Sequence, residues 1–146
     1  SVVITLTAGK NLPDVAKYYQ AITDAVKTEK GGQYVTSYGN NDYYYGGSAF
    51  QNNFDFRPSA WKAQTTEYAN MTDEQLTALM YERLPESFIY ALKAIHPDAA
   101  PVAGVDVTYT FNFVVYDGTN NTNYTIVYKV TGVGEFTYVE GSLAKK

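Results

Sequence analysis

The last third of the chain alternates apolar and polar residues with a period of two. Between positions 105 and 115 the apolar residues are Val105, Val107, Tyr109, Phe111, Phe113 and Val115. This alternation places every second side chain on one face of a β-strand. A turn at 117–121, a return strand over 124–130, a turn at 132–134 and a strand through Phe136 and Tyr138 follow. The pattern therefore predicts an antiparallel meander with one apolar face.

Two other stretches carry apolar residues at helical spacing. In the first, Asn11 and Pro13 are typical of a helix start, with Asn11 as the capping residue, and Gly31 with Gly32 is typical of a helix end. Between them the apolar residues recur at intervals of three and four: Leu12, Val15, Tyr19, Ile22 and Val26. This spacing predicts an amphipathic helix whose apolar stripe can cover the sheet.

The second helical stretch begins at a capping box formed by Thr72 and Gln75. Its apolar face continues to Pro85 and resumes from Phe88 towards Ile95. Since proline interrupts helical hydrogen bonding, we expect either two helices or one kinked helix.

Together these patterns predict an α+β domain spanning residues 1–146. We expect an antiparallel sheet of about four to six strands with two or three helices packed on one face. A chain of 146 residues is the size of one ordinary domain. The segment from Leu143 to Lys146 is predicted to be frayed.

Composition argues against several functions. The formal charge of −4 comes from acidic and basic residues spread along the chain, so nucleic acid is not an expected partner. The apolar runs are too short for a membrane span. The chain has no cysteine and a single histidine, His96, so we predict no metal site and no cofactor. At the end of a helix, His96 is expected to interact favourably with the helix dipole.

The middle of the chain is rich in aromatic residues. Nine of them lie between Tyr34 and Trp61, whereas no Val, Ile or Leu occurs from Thr36 to Gln75. Aromatic residues favour pleated surfaces, and the Gly and Asn residues among them favour turns, so we expect two short strands or strand-like loops here. The rings either replace an aliphatic core or form a recognition surface.

The second interpretation defines a candidate ligand-binding surface. Tyrosine and tryptophan offer a broad apolar face with a polar tip, and sugar rings stack on such faces while Asn and Asp bind their hydroxyls. The candidate ligand-binding residues are Tyr43, Tyr44, Tyr45, Asn53, Asp55 and Trp61. This interpretation expects exposed rings beside unpaired amides, and a glycan or another small molecule as ligand.

Two carboxylates in the same segment are the candidates for chemistry. Glycosidic chemistry requires two acids at a suitable separation, and Asp42 and Asp55 are the pair to consider. The alternative is that both are solvated turn residues. No catalytic residue is assigned.

The segment from Tyr44 to Asp55, with Arg57-Pro58-Ser59 and His96-Pro97-Asp98-Ala99, resembles domains of exported lipoproteins from gut Bacteroidetes. That resemblance implies export to the periplasm or cell surface, with tethering through a cysteine upstream of Ser1. The order of helix, curved strands, helix and long antiparallel strands resembles the cystatin-like and NTF2-like α+β group. This second resemblance implies a bent sheet around a helix and a cone-shaped pocket at one end of the sheet.

Three classes of function follow. The first is a non-catalytic, exported binding or assembly module that holds a glycan or another small ligand on its Tyr- and Asn-rich surface. The second is a small NTF2-like enzyme that uses Asp42 or Asp55 as a buried carboxylate of raised pKa. The third is a structural domain of a larger surface protein. The oligomeric state is left open.

Overall fold

A computed structural model describes residues 1–146 and shows seven β-strands and three α-helices. In chain order these elements are β1 (Val2–Thr5), α1 (Pro13–Glu29), β2 (Gly47–Ser48), β3 (Asn53–Asp55), α2 (Pro58–Gln64), α3 (Asp73–Ile95), β4 (Thr108–Tyr116), β5 (Asn121–Gly132), β6 (Glu135–Tyr138) and β7 (Ala144–Lys145). The architecture is α+β, as the sequence predicts.

The predicted meander is formed by β4, β5 and β6. β4 and β5 pair antiparallel, with Phe111 opposite Ile126, and β5 pairs antiparallel with β6. Along β4 the residues alternate between buried and half-buried, as expected for a strand with one face on the core. The strand begins three residues later than predicted, because Val105 lies in an exposed loop, where it bridges to Val102.

The other edge of β4 is shared by two short strands that run parallel to it. β1 pairs with the first half of β4, where Ile4 lies opposite Phe111, and β3 pairs with the second half, where Phe54 lies opposite Val115. The expected antiparallel order therefore does not extend to this edge. Long helical segments connect β1 and β3 to β4, and such crossover connections allow parallel pairing.

The C-terminal residues are paired to the sheet, so the prediction of a frayed end is wrong. β7 pairs antiparallel with β5, and the amide of Lys146 donates to the carbonyl oxygen of Asn123 at 2.9 Å. Leu143 packs against the core. β6 covers only part of β5, which leaves the opposite part of the same edge free for β7.

α1 differs from the prediction at its first residue. The N-cap is Leu12, which makes no side-chain capping bond, and Pro13 is the first helical residue. Asn11 instead adopts a positive φ of 62°, a conformation that Asn tolerates better than most residues. The helix ends where predicted, since Gly31 has a φ of 137° and its amide donates to the carbonyl oxygen of Val26.

α3 is one continuous helix that contains Pro85. The predicted capping box is present: the Thr72 hydroxyl accepts from the amide of Gln75, and the Gln75 side chain accepts from the amide of Thr72. The carbonyl oxygen of Pro85 accepts a hydrogen bond from the hydroxyl of Tyr128 on the sheet. The short α2 was not predicted, although Pro58 at its first turn is a typical helix-start residue.

Aromatic side chains fill the space between the helices and the sheet. The ring of Phe88 on α3 stacks on Phe111 of β4 with centroids 4.2 Å apart, and Phe54 of β3 contacts Phe88 and Phe113 edge-to-face. Phe111, Phe113 and Tyr128 are all buried. The helices therefore cover the apolar face of the sheet as predicted. No helix is long and apolar enough to cross a membrane.

Candidate ligand-binding cleft

The aromatic segment between Tyr34 and Trp61 folds around the carboxylate of Asp42, which is completely buried. One carboxylate oxygen accepts from the backbone amides of Tyr44, Tyr45 and Gly46 at 3.1, 2.8 and 3.3 Å. The other accepts from the hydroxyl of Thr23 on α1 at 2.8 Å. Asp42 thus ties a turn over residues 42–46 to the helix, and Tyr43 to Tyr45 do not form a strand.

Most rings of this segment point into the core. Tyr43, Tyr45 and Trp61 are buried, so the expectation that these rings are exposed is wrong. They pack on other aromatic rings, as in the edge contacts of Tyr43 with Trp61 and of Tyr45 with Tyr44. Because no Val, Ile or Leu occurs from Thr36 to Gln75, these side chains supply the apolar volume that such residues supply elsewhere.

Tyr44 is half-buried and lies between two cations. The guanidinium carbon of Arg83 is 3.8 Å from its ring centroid, and the ammonium of Lys30 is 5.1 Å away. Lys30 also pairs with Glu86, which accepts a hydrogen bond from the hydroxyl of Tyr45. Since both cations already approach this ring, Tyr44 is a structural contact in the observed arrangement.

A polar cleft of about 460 Å³ opens beside this segment, where β2, β3 and the end of β4 meet. Its volume lies in the range of about 300–1,000 Å³ that small-molecule sites occupy. Of the six candidate ligand-binding residues, Asn53 and Asp55 line it and the other four do not. The complete lining consists of Asn41, Ser48, Phe50, Gln51, Asn53, Asp55, Arg57, Tyr116 and Asn121.

Asp55 is held by donors on several sides. Arg57 donates from Nε to Oδ1 at 2.8 Å and from Nη2 to Oδ2 at 2.6 Å, a bidentate ion pair. The hydroxyl of Tyr43 donates to Oδ2 at 2.8 Å, and the indole of Trp61 donates to the backbone oxygen of Asp55 at 2.7 Å. Tyr43 and Trp61, which do not line the cleft, therefore position Asp55, which does.

The side chain of Asn53 has an unused hydrogen-bonding group. Asn53 is 7% exposed, and its Oδ1 atom is buried without a hydrogen-bond partner in the protein. Leaving a buried amide oxygen unpaired costs about 1–3 kcal/mol, which makes such atoms uncommon. Asn53 lines the cleft, but its Oδ1 atom has almost no exposed surface, so a donor from a bound molecule reaches this atom only after the side chain rotates towards the cleft.

Two aromatic residues at the cleft were absent from the sequence-based candidates. Phe50 is 48% exposed and lies between β2 and β3, and Tyr116 is the last residue of β4. The guanidinium of Arg57 is 6.0 Å from the centroid of the Tyr116 ring. Phe50 belongs to the aromatic segment and was therefore visible in the sequence, whereas Tyr116 reaches the cleft only through the parallel pairing of β3 with β4.

The two candidate carboxylates are not solvated turn residues, because Asp42 and Asp55 are both buried. Burial raises the pKa of Asp42, although its hydrogen bonds to Tyr45 and Thr23 act in the opposite direction. Asp42 is not among the residues that line the cleft. Both oxygens of Asp55 are already occupied by Arg57 and Tyr43, so neither carboxylate is free to take a proton from a molecule in the cleft.

His96 caps the C-terminal end of α3 and contacts α1. Its Nε2 atom lies 2.7 Å from the hydroxyl of Tyr18, and its ring also packs against Tyr109. Burial, together with the charge of Lys17, lowers the pKa of His96. The neutral imidazole is therefore favoured at pH 7, and the expected charge interaction with the helix dipole gives way to a hydrogen bond.

Comparison of the chain with protein-family models, curated proteins and solved structures finds no match.

Proposed function

We propose that this chain is a non-catalytic binding module that holds a glycan, or another neutral and polyhydroxylated small molecule, in the cleft beside β3. The observation that carries the proposal is the cleft lining, in which four amide side chains, that of Asn53 among them, lie beside two aromatic rings. The Oδ1 atom of Asn53 has no partner in the protein, so rotation of this side chain towards the cleft would let a ligand hydroxyl donate to it.

Other side chains around Asn53 suit a ligand rich in hydroxyl groups. Asn41, Gln51 and Asn121 each carry an amide, which both donates and accepts hydrogen bonds. A hydroxyl has the same dual capacity, so a sugar can pair with several of these groups at once. The guanidinium of Arg57 has five N–H donors, of which the ion pair with Asp55 uses two.

The charges of the cleft favour a neutral ligand. Asp55 and Arg57 are the only ionised residues in the lining, and they neutralise each other in a bidentate pair. An anionic ligand would have to compete with Asp55 for the guanidinium. A neutral polyol can use the remaining donors without breaking the pair.

Phe50 and Tyr116 provide apolar surface next to these polar groups. The C–H face of a sugar ring packs on an aromatic face, while the hydroxyls at its edge bind amides. Both rings lie in the cleft lining with the four amide side chains. This combination supports a glycan more strongly than a purely polar ion or a purely apolar molecule.

We propose a non-catalytic role because the carboxylates of Asp42 and Asp55 are both engaged in hydrogen bonds within the protein. Asp55 is engaged by Arg57 and Tyr43, and Asp42 by three amides and Thr23. A general base must reach the proton that it abstracts, and a glycosidase needs two carboxyl groups facing the scissile bond. The cleft lining contains one carboxylate, which is paired.

We further propose that the module acts outside the cytoplasm, in the periplasm or at the cell surface. The resemblance of residues 44–55 to exported lipoproteins supports this location, and so does the glycan-type chemistry of the cleft. Fractionation of cells that express the natural full-length gene product, with protease treatment of intact cells, tests it. Recovery from the soluble cytoplasmic fraction alone would contradict the proposed location.

Binding itself is tested by a glycan array followed by titration calorimetry of the glycans that bind. The wild-type chain is compared with Asn53→Leu and with Asn70→Leu, a matched change at an exposed asparagine outside the cleft. We expect Asn53→Leu to weaken binding by at least about tenfold, which corresponds to 1.4 kcal/mol, and Asn70→Leu to leave it unchanged. Equal affinities for all three proteins, or binding to no glycan, would overturn the proposal.

A further inference from the structure

The cleft adjoins a second depression of about 380 Å³. Phe50 lines both, so the two depressions meet at this ring. The second depression is bounded by the loop before α1 and the first turn of that helix, and its lining includes Lys10, Asn40 and Ala49 as well as Phe50. The surface at this point therefore offers two neighbouring sites rather than one.

A single β-bridge lies where the linings of the two depressions meet. Asn41 bridges to Ser48, and the amide of Ala49 donates to the carbonyl oxygen of Asn40 at 2.8 Å. Asn41 and Ser48 line the cleft, whereas Asn40 and Ala49 line the second depression. Two asparagines adjacent in sequence, Asn40 and Asn41, thus lie in the linings of the two neighbouring depressions.

Phe50 is held between the two depressions. The ammonium of Lys10 lies 4.8 Å from the centroid of its ring, a cation–π distance. The ring nevertheless remains 48% exposed. An exposed aromatic ring with polar side chains on both sides is suited to a ligand that passes across it and makes hydrogen bonds at each end.

We propose that the ligand is a glycan chain of at least two sugar units that crosses Phe50, with one unit in the cleft and the next in the depression lined by Asn40. The inference rests on the proposed glycan-binding function and adds the length and path of the ligand. A monosaccharide fills only the cleft. A disaccharide or longer chain gains the contacts of the second depression without a further loss of overall translational freedom, so affinity rises with length.

Glucose, mannose and xylose, each with its β-1,4-linked oligosaccharides from the disaccharide to the hexasaccharide, and the α-1,4-linked glucose series provide the test. Titration calorimetry is carried out with the wild type, Asn40→Ala, Phe50→Ala and Tyr38→Ala. Tyr38 is 93% exposed and lines neither depression, so Tyr38→Ala is the control for removal of an exposed ring. Circular dichroism checks that each variant is folded.

In at least one series we expect the affinity to rise by about tenfold or more from the monosaccharide to the disaccharide and then to level off. Asn40→Ala should remove most of this gain while leaving monosaccharide affinity unchanged, and Phe50→Ala should weaken every member. Monosaccharides that bind as tightly as longer chains, or an unchanged length dependence in Asn40→Ala, would overturn the two-site inference and leave the cleft proposal standing. Binding to no member of any series would overturn both.

Discussion

Arg57 and Asp55 form a bidentate ion pair in the wall of the cleft, with an Nε–Oδ1 distance of 2.8 Å and an Nη2–Oδ2 distance of 2.6 Å. The two residues are separated by one position, at the point where β3 ends and α2 begins. The pair therefore joins the sheet edge to the helix and keeps the cleft neutral. The hydrogen bond raises the pKa of Arg57, so the guanidinium stays charged.

Arg57→Ala should destabilise the protein by about 2–3 kcal/mol, because it leaves the buried Asp55 carboxylate with fewer donors. This loss of stability is smaller than that expected for a fully buried ion pair, because the Arg57 side chain is 44% exposed. Lys62→Ala removes the exposed ion pair with Asp73 and should change stability by about 0.5 kcal/mol or less. Urea unfolding of both variants measures the difference, and equal effects would contradict a special role for Asp55.

Asn52 and Asn53 each have an unpaired and buried Oδ1 atom, yet substitution by leucine should affect stability differently at the two positions. Asn53→Leu should leave the unfolding free energy unchanged or raise it, because an unsatisfied polar group is replaced by an apolar one of similar volume. Asn52→Leu should destabilise by about 2 kcal/mol or more, because Asn52 donates to the carbonyl oxygen of Gly9 at 2.7 Å and has a φ of 58°.

Chemical denaturation of these two variants separates recognition from folding. A recognition role for Asn53 predicts that Asn53→Leu weakens ligand binding without a loss of stability. If Asn53→Leu were as unstable as Asn52→Leu, the Asn53 side chain would have a structural role rather than a recognition role.

Asp42→Asn should destabilise the protein by about 2–4 kcal/mol, because the carboxylate accepts from three backbone amides and from Thr23. An asparagine in its place turns an NH₂ group towards at least one of these donors. Asp24→Asn is the control, since Asp24 lies exposed on the same helix as Thr23. Thermal unfolding followed by circular dichroism makes the comparison, and similar melting temperatures for the two variants would rule out Asp42 as the anchor of the turn.

The stability of the protein should fall at alkaline pH as buried tyrosines ionise. Burial, with the nearby charge of Asp55, raises the pKa of Tyr43 from 10.0 to about 12. A pKa that is higher in the folded state gives stability that is complete below about pH 10 and is lost as the pH rises through about 12. Other buried tyrosines, among them Tyr19 and Tyr128, have raised pKa values as well and add to the loss.

Tyr43→Phe isolates one contribution to this alkaline loss. At neutral pH the variant should be about 1 kcal/mol less stable, because Asp55 loses a hydrogen bond. The wild type loses stability between about pH 10 and pH 12 as Tyr43 ionises, whereas the variant has no hydroxyl at position 43 to ionise. The difference in unfolding free energy between the two proteins should therefore narrow over this range. Urea titrations across this range measure it, and a constant difference would show that the Tyr43 hydroxyl does not ionise with the expected shift.

The parts of the fold that are encoded locally were predictable. The alternation along β4 and the Thr72–Gln75 capping box are short-range patterns, and both appear in the structure. β7 was not predictable in the same way, because its pairing depends on an edge of β5 that β6 leaves open. The prediction of Asn11 as the capping residue was wrong, because asparagine is favoured both at helix N-caps and at positions with positive φ, and Asn11 occupies a position of the second kind.

The cleft was only partly predictable for a related reason. Asn53 and Asp55 were selected from the aromatic segment and do line the cleft, but their partners Tyr116 and Asn121 come from the β4–β5 hairpin. These two groups meet through the pairing of Phe54 with Val115, which no local pattern encodes. Composition also cannot decide whether a tyrosine faces inward, and the structure places Tyr43 and Tyr45 in the core.

The most direct test of ligand binding in the cleft is an NMR titration that follows side-chain amide groups. With a glycan that binds, we predict shifts of the NH₂ signals of Asn41, Gln51, Asn53 and Asn121, while Asn70, outside the cleft, stays in place. Shifts confined to amides outside the cleft, or no shift with any glycan at concentrations that saturate other sugar-binding modules, would contradict the account.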